Sequence, residues 1–240
     1  MTDHKWPDDA LVASKRIVES MGCSNLTYLD VGAHYGESVQ SLKDWKLPSA
    51  RCFAFEPNRN NFKTLKSRVG GISDDSFHCE LLENGVGATS RVETFTETRA
   101  SAVGGILVPV DGLDSRVPSG DHQIVDEYEV NLIAIDDFVE SRSIEQIDFL
   151  KIDTEGYDLE VLKGASTALT KGLIKVILTE AFFVNYRQGQ CFYWDIAKYL
   201  HDFGFSFVNF FDTRNTSQDR IYTGNALWVS SETADKLGYL

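Results

Sequence analysis

The chain has 240 residues, of which 42% are hydrophobic and 25% are charged, a composition typical of a globular protein with an apolar core. Its 23 Lys and Arg residues stand against 36 Asp and Glu residues, a net charge of −13, which repels phosphate backbones and anionic lipid surfaces, so we expect no nucleic-acid partner. The polar N-terminus and the absence of any run of about 18 apolar residues predict no membrane span and a cytoplasmic protein.

Helical and strand-like patterns alternate along the first third of the chain. Apolar residues at helical intervals predict a helix over 8–21, which we interpret as part of an N-terminal helical extension covering 1–25. The elements expected next are a strand at 26–31, a helix at 37–45, a strand at 51–55, a helix at 58–69 and a strand at 77–82. This alternation favours a mostly parallel sheet with helices on both faces.

The alternation stops between residues 91 and 130. Residues 94–98 have the character of an extended strand, whereas 100–126 contain several glycines, two prolines and little periodicity. Loops of this length are uncommon in compact domains and often serve as lids or substrate loops. We therefore assign residues 99–127 to a variable loop or lid within one domain that spans 1–240.

Regular patterns return in the second half of the chain. We expect strands at 129–135, 147–152, 174–178, 206–211 and 226–229, with helices at 159–169 and 192–203. Four cysteines without C-x-x-C or zinc-like histidine spacing predict reduced thiols. The whole pattern indicates a single layered α/β domain of the Rossmann-like class.

The first chemistry-bearing segment is Asp30-Val-Gly-Ala-His-Tyr-Gly36, between the first strand and the next helix. Ligands of open α/β sheets bind beyond the carboxyl ends of the strands. Gly32 and Gly36 let the backbone approach a ligand, and the following helix offers free N–H groups to a carboxylate, with Ser38 nearby. Asp30 supplies the opposite charge for an ammonium group. The segment therefore suits the amino-acid end of a methionine derivative.

Glu56 closes the second strand, twenty residues beyond Gly36, where nucleotide-binding folds place an acid on ribose hydroxyls. An NAD site needs G-x-G-x-x-G, and here His34 occupies the place of the middle glycine. This difference favours S-adenosylmethionine over NAD. The alternative is that Gly32 and Gly36 form only a tight turn and that Glu56 is a surface acid.

A second glycine-bearing turn, Asn84-Gly-Val-Gly87, follows the third strand. Its position at the same sheet edge predicts that Asn84 and Gly85 border the adenine of the cofactor. An ordinary turn before the next strand is an equally good interpretation.

Several segments together resemble the FkbM-type methyltransferases, a branch of the class I S-adenosylmethionine-dependent enzymes. His34 stands where that family commonly has asparagine. The resemblance covers roughly residues 26–180, and the last strand, Gly224-Asn-Ala-Leu-Trp228, is similar too. The segments are Leu29-Asp-Val-Gly-Ala-His-Tyr-Gly-Glu37, Ala54-Phe-Glu-Pro-Asn58, Ala134-Ile-Asp-Asp-Phe138, Ile147-Asp-Phe-Leu-Lys-Ile-Asp-Thr-Glu-Gly156 and Glu160-Val-Leu-Lys-Gly-Ala165.

The resemblance implies a mostly parallel seven-stranded class I methyltransferase fold, S-adenosylmethionine as the cofactor, and methylation of a hydroxyl on a glycan, small polyol or natural-product acceptor. Acceptor choice is expected in the unmatched 100–126 segment or after Phe182, where Tyr186, Arg187 and Trp194 suit an acceptor pocket or, equally, core packing. The alternatives are methyl transfer to nitrogen and an inactive cofactor-binding scaffold.

A hydroxyl acceptor must lose a proton, so we expect a base at the strand ends. Asp153 directly follows the apolar strand and ranks first; Glu180, at the end of the next strand, ranks second. Glu155 ranks third, since an acid at the start of a helix is its alternative interpretation. Three carboxylates at one edge match the oxygen ligands that Mg²⁺ prefers. Nothing in the sequence indicates a bound metal, and none is assigned.

Overall fold

A computed structural model of the chain describes residues 7–110, 122–216 and 218–238. Within these ranges ten strands and eight α-helices are present. The strands are β1 (Asn25–Val31), β2 (Ser49–Phe55), β3 (Phe77–Leu82), β4 (Gly85–Val86), β5 (Arg91–Thr98), β6 (Ile124–Ile133), β7 (Ile147–Ile152), β8 (Ile174–Phe182), β9 (Phe205–Asn215) and β10 (Ile221–Ser230). The helices are α1 (Ala10–Ser20), α2 (Glu37–Asp44), α3 (Arg59–Val69), α4 (Ile135–Ser141), α5 (Asp158–Lys163), α6 (Ser166–Thr170), α7 (Tyr193–Asp202) and α8 (Ser231–Leu237).

Seven strands form the main sheet in the order β3-β2-β1-β7-β8-β10-β9. The first five of these run parallel, and β10 is antiparallel to both of its neighbours. The strand order reverses between β1 and β7, the point at which α/β sheets bind ligands. The predicted fold class, a mostly parallel seven-stranded sheet with helices on both faces, is confirmed.

Hydrophobic side chains cover both faces of this sheet. Neighbouring residues of a strand point to opposite faces, so within β7 Phe149 belongs to one apolar cluster and Leu150 to the other. One cluster includes side chains of α4, α5, α6 and α7, and the other includes side chains of α1, α2, α3 and α8. Helix α1 therefore belongs to the core, because Ala13, Ile17 and Val18 are buried in it. No helix of the described residues is long and apolar enough to cross a membrane.

A smaller sheet of order β4-β6-β5 corrects part of the expected loop at 99–127. Strand β6 begins at Ile124, five residues before the predicted strand at 129–135, and a short 3-10 helix covers Ser101–Val103. The first residues of β6 are mostly exposed, so they lack the apolar alternation that identifies a strand. Residues 111–121 of the predicted lid lie outside the described residues.

Two boundaries that differ from expectation affect the site. Strand β8 continues to Phe182, which places Glu180 inside the strand and not at its end. The helix expected at 159–169 is divided into α5 and α6, because the Gly164 carbonyl accepts a hydrogen bond from Asp136 N at 2.8 Å. The Asp136 carboxylate then caps α6 by accepting from the backbone N–H groups of Thr167 and Ala168. All four cysteines are free thiols, as predicted.

Candidate active site

A cavity of about 480 Å³ lies beside the carboxyl ends of β1, β2 and β7. One side is formed by residues 101–106, which with Leu107 we call the wall segment (residues 101–107). Two of the predicted site residues, Asp30 and Gly36, do not line it. The predicted site residues that do are Gly32, His34, Ser38, Glu56, Asn84, Gly85, Asp153, Glu155 and Glu180.

Gly32 and Gly36, in the loop after β1, are required to be glycine by different contacts. Gly32 has φ +80°, and a Cβ there would lie 1.9 Å from the Asp153 carbonyl oxygen, so it allows the ends of β1 and β7 to meet. Gly36 has φ +89° and precedes α2, and a Cβ there would meet Leu65 of α3 at 2.9 Å. Gly36 is thus explained by the turn and its packing against α3, which was the alternative interpretation.

Asp30 faces a protein cation and not the cavity. Its carboxylate is fully buried, accepts a hydrogen bond from the Ser38 hydroxyl, and lies 3.2 Å from Lys151 Nζ. Asp30 therefore forms an ion pair with a protein cation, and its contact with a ligand ammonium stays a prediction. Sequence reasoning missed Lys151, although a single lysine within the apolar β7 strand was its visible signal.

Lys151 connects Asp30 to the cavity. Its ammonium also lies 3.3 Å from the Gly32 carbonyl oxygen and 3.5 Å from Asp153 Oδ2. Burial disfavours its charge, but the carboxylates of Asp30 and Asp153 outweigh burial and raise the pKa of Lys151 above its ordinary value. Lys151 is consequently a fixed cation beneath the loop between β1 and α2.

Glu56 is 5% exposed and lines the cavity at the end of β2. Its carboxylate accepts hydrogen bonds from the backbone N–H groups of His34, at 2.7 Å, and Asn58, at 2.9 Å. Burial raises the pKa of Glu56 to about 7, and these hydrogen bonds oppose the rise. The Asn61 side chain is a further hydrogen-bond partner, and a carboxylate with about four lone-pair sites can still accept from a ligand hydroxyl.

The loop after β1 is fastened to the wall segment through Ser101. The Tyr35 hydroxyl lies 2.7 Å from Ser101 Oγ, and Asn61 Nδ2 donates to the Ser101 carbonyl oxygen at 3.1 Å. The His34 ring stacks on the Tyr35 ring, and His34 Nε2 lies 3.5 Å from Ser101 Oγ. Burial lowers the pKa of His34, which favours the neutral ring. His34 therefore lines the cavity and also packs against the residues that hold the wall segment in place.

Three carboxylates converge on the other side of the cavity. Oxygen atoms of Asp153, Glu155 and Glu180 lie within 4.8 Å of one another. Asp153 is exposed and directly follows β7, where its N–H donates to the Val31 carbonyl oxygen at 2.9 Å. The structure thus brings together the three acids that the sequence selected as catalytic candidates.

The three acids differ in their partners. Glu180 Oε1 accepts a hydrogen bond from the Thr223 hydroxyl at 3.1 Å, whereas Oε2 is buried and has no hydrogen-bond partner among the described residues. Burial, with the neighbouring carboxylates Glu155, Asp153 and Asp158, raises the pKa of Glu180 well above its ordinary value. Glu180 therefore has the environment of a group that takes up a proton.

Asp158 is a further buried acid that supports this cluster. It accepts hydrogen bonds from the Thr154 hydroxyl at 2.7 Å and from Glu180 N at 2.9 Å, joining the loop after β7 to β8. Burial raises its pKa to about 7. Of the residues expected after Phe182, Tyr186 and Arg187 are buried, Trp194 is exposed, and none of the three lines the cavity.

Comparison with protein families resolves the identity of this fold. The model of the methyltransferase FkbM domain matches residues 30–207, more than half of the chain. The chain belongs to the FkbM methyltransferase family. This confirms the resemblance that the sequence motifs indicated. A comparison with curated proteins gives no significant match.

Solved structures agree with the family at the level of the fold. A methyltransferase FkbM from Methylobacillus flagellatus KT is 20% identical with a TM-score of 0.55, and the match covers 86% of this chain. It covers 44% of that protein, so the FkbM chain described here spans less than half of its length. A magnesium protoporphyrin IX methyltransferase from Synechocystis PCC 6803, with bound SAM, is 13% identical with a TM-score of 0.50, covering 92% of this chain and 78% of that one.

Proposed function

We propose that this FkbM-family protein uses S-adenosylmethionine to methylate a hydroxyl group of a glycan, a small polyol or a natural product. The observation that carries the proposal is the carboxylate cluster of Asp153, Glu155 and Glu180 beside a cavity at the switch point of a methyltransferase sheet. A base next to the methyl donor is what a hydroxyl acceptor requires, because an alcohol is a poor acid.

The cavity residues fit the cofactor. The first N–H groups of α2 lack helical partners and suit its carboxylate, Glu56 suits the ribose hydroxyls, and Asn84 with Gly85 border the adenine. S-adenosylmethionine carries an ammonium and a sulfonium charge, and the acids of the cavity complement both. The Synechocystis neighbour, which contains SAM in the same fold, supports this choice.

The cofactor supplies a methyl group activated by the sulfonium. The chain's own contribution is to align the acceptor, exclude water and remove a proton. Among the three proposed catalytic acids we assign proton removal to Glu180, because its buried Oε2 has a free lone pair and its surroundings favour protonation. Asp153, exposed beside Lys151, is placed to orient the acceptor hydroxyl, and the wall segment shields the site.

An acceptor screen tests this proposal. The protein, incubated with S-adenosylmethionine carrying a labelled methyl group, is offered matched acceptors that present a hydroxyl, an amine or both, and the methylated atom is located by mass spectrometry and NMR. We expect label on oxygen. Label on nitrogen supports the alternative acceptor chemistry, and cofactor binding without transfer to any acceptor supports the scaffold alternative.

A chelator arm of the same screen tests Mg²⁺. The three carboxylates offer oxygen ligands, but one of them is already paired with a buried arginine. We therefore expect transfer to continue in excess EDTA. Loss of transfer with EDTA and recovery with added Mg²⁺ would instead assign the cluster to a metal.

A further inference from the structure

Arg187, in the segment between β8 and α7, is a buried cation outside the cavity. Its side chain has no exposed surface and is the largest of the fully buried side chains in the described residues. It does not line the cavity. A guanidinium is costly to bury unless it is paired and hydrogen-bonded, so its partners must compensate for the lost hydration.

The partners of Arg187 belong to two separate walls of the cavity. Its guanidinium donates to the carbonyl oxygens of Val103 and Leu107, at 3.0 Å for Leu107, which lie in the wall segment. It also donates to Glu155 Oε2 at 2.9 Å, forming an ion pair. A planar guanidinium with several fixed donors is suited to bridging three acceptors in this way. One side chain thus ties the wall segment to the carboxylate cluster.

The backbone around Arg187 reinforces the same connection. The N–H of Gln188 donates to the Val108 carbonyl oxygen at 2.9 Å, and the N–H of Val110 donates to the Tyr186 carbonyl oxygen at 3.1 Å. The segment that carries Arg187 is therefore held against the continuation of the wall segment. The backbone is consequently held in place both before and after Arg187, which fixes the position of its guanidinium.

Two acids of the carboxylate cluster, Glu155 and Glu180, differ in their charged neighbours. Glu155 faces the carboxylates of Asp153 and Glu180 and the cations Arg187 and Arg214, and Arg187 is the one in direct contact among the described residues. Burial raises the pKa of Glu155, and Arg187 opposes that rise. Glu180 has no such ion-pair partner within the described residues, and its Oε2 is without a donor. The ion pair with Arg187 therefore distinguishes Glu155 from Glu180, although both acids lie in the same cluster.

We propose that Arg187 is a positioning residue for methyl transfer, which holds Glu155 ionised and fixed and clamps the wall segment, leaving Glu180 as the proton acceptor. This inference rests on the proposed function for its catalytic meaning. In the transfer step the acceptor oxygen bonds to the methyl carbon and the carbon–sulfur bond breaks. The bonding pair goes to sulfur, and the hydroxyl proton goes to Glu180. Glu155 keeps its charge throughout.

The test compares Arg187→Gln, Arg187→Lys and the control Arg142→Gln, in which the arginine pairs with Glu80 outside the lining of the cavity. Each full-length variant is labelled with ¹³C-glutamate, and the Glu155 carboxyl resonance is assigned with Glu155→Gln and titrated with pH. We expect Arg187→Gln to raise the Glu155 midpoint by about 1–3 pH units, the effect of removing an adjacent opposite charge. Arg187→Lys should lie within about one unit of wild type.

Hydrogen exchange of the backbone amides of the wall segment is measured on the same proteins, because clamping is the second half of the proposal. Both Arg187 variants should exchange at least about tenfold faster there than wild type, a loss of roughly 1.4 kcal/mol. Lysine restores the charge but not the planar set of donors. Arg142→Gln should change neither measurement.

An unchanged Glu155 midpoint in Arg187→Gln overturns the inference, and so does unchanged exchange of the wall segment in both variants. If Arg187→Gln does not fold, Arg187→Lys still decides the clamp through its exchange rates. The proposed function fails separately, if wild-type protein does not bind S-adenosylhomocysteine; the titration of Glu155 is read without the cofactor and is independent of that result.

Discussion

The two sides of the cavity are built in different ways. The proposed cofactor side, at the ends of β1 and β2, is built from residues of two consecutive strand ends, as with Gly32 and Glu56. The proposed acceptor side brings buried charges together from distant segments, as with Glu155, Glu180 and Arg187. The cofactor side should therefore respond to changes of shape, and the acceptor side to changes of charge and protonation.

The largest effect is expected at Gly32. In Gly32→Ala the new Cβ would lie 1.9 Å from the Asp153 carbonyl oxygen, so β1 and β7 must separate at the proposed cofactor site. We expect S-adenosylhomocysteine affinity, measured by calorimetry, to fall more than about a hundredfold, since one such shift removes several contacts at once.

Gly172→Ala is the matched control, because Gly172 has φ +66° and an added Cβ would meet nothing within 4 Å. It should lose about 1 kcal/mol of unfolding free energy through backbone strain and keep its affinity. Equal loss of affinity in both variants would show that strain, and not the close approach of the strands, explains Gly32.

The second-largest effect is expected for the ion pair between Lys151 and Asp30. Lys151→Met leaves the carboxylate of Asp30 buried without its cation, so we expect the free energy of unfolding to drop by about 3–5 kcal/mol. Denaturant unfolding measures this change. The double variant with Asp30→Asn should recover part of the lost unfolding free energy. If the loss in the double variant equals the sum of the losses in the two single variants, Lys151 and Asp30 are not paired.

The third effect concerns proton removal on the acceptor side. Glu180→Gln should lower the rate of transfer by about 10²–10⁴-fold, the typical contribution of a general base, and leave S-adenosylhomocysteine affinity nearly unchanged. In wild type the rate should rise with pH as Glu180 loses its proton, and because its pKa is raised the rise extends above the ordinary range of a glutamate.

The pH profile of Glu180→Gln is the check on that assignment. The rising limb should be absent from the variant. A limb that persists with the wild-type midpoint would transfer the role to another group, for which Asp153→Asn is the next variant to measure.

The smallest effect is expected where the two sides meet, at Ser101. Ser101→Ala removes the hydroxyl that lies 2.7 Å from the Tyr35 hydroxyl, a hydrogen bond worth about 1 kcal/mol. We expect a fall of about fivefold in cofactor affinity and faster hydrogen exchange of the wall segment. Tyr35→Phe removes the same bond from its other end and should match it; a large difference between the two would show that Ser101 acts through His34.

The sequence predicted the residues that line the cavity better than it predicted the buried ion pairs behind them, for a physical reason. Glycines and an acid after consecutive strands are visible as spacing, and the order of these strands follows from their alternation with helices. The partner of Asp30 was missed because Lys151 is 121 residues away, and spacing does not reveal ion pairs between distant strands. Arg187 was placed near the acceptor pocket, but its burial depends on how the wall segment folds.

The exposed start of β6 shows the same limit within the fold. A strand without one buried face has no apolar alternation, so Ile124 and its neighbours resemble a loop in the sequence. Glu180 was correctly grouped with Asp153 and Glu155 because parallel strands end at one edge, although β8 extends beyond it.

Calorimetric titration of the full chain with S-adenosylmethionine and S-adenosylhomocysteine, with NAD as the comparison ligand, decides which cofactor the cavity binds. We predict binding of both methionine derivatives at one site per chain, weakened by Glu56→Gln through the lost ribose contact, and no binding of NAD. Absence of binding to both derivatives by folded protein, or preferential binding of NAD, would rule out S-adenosylmethionine as the cofactor.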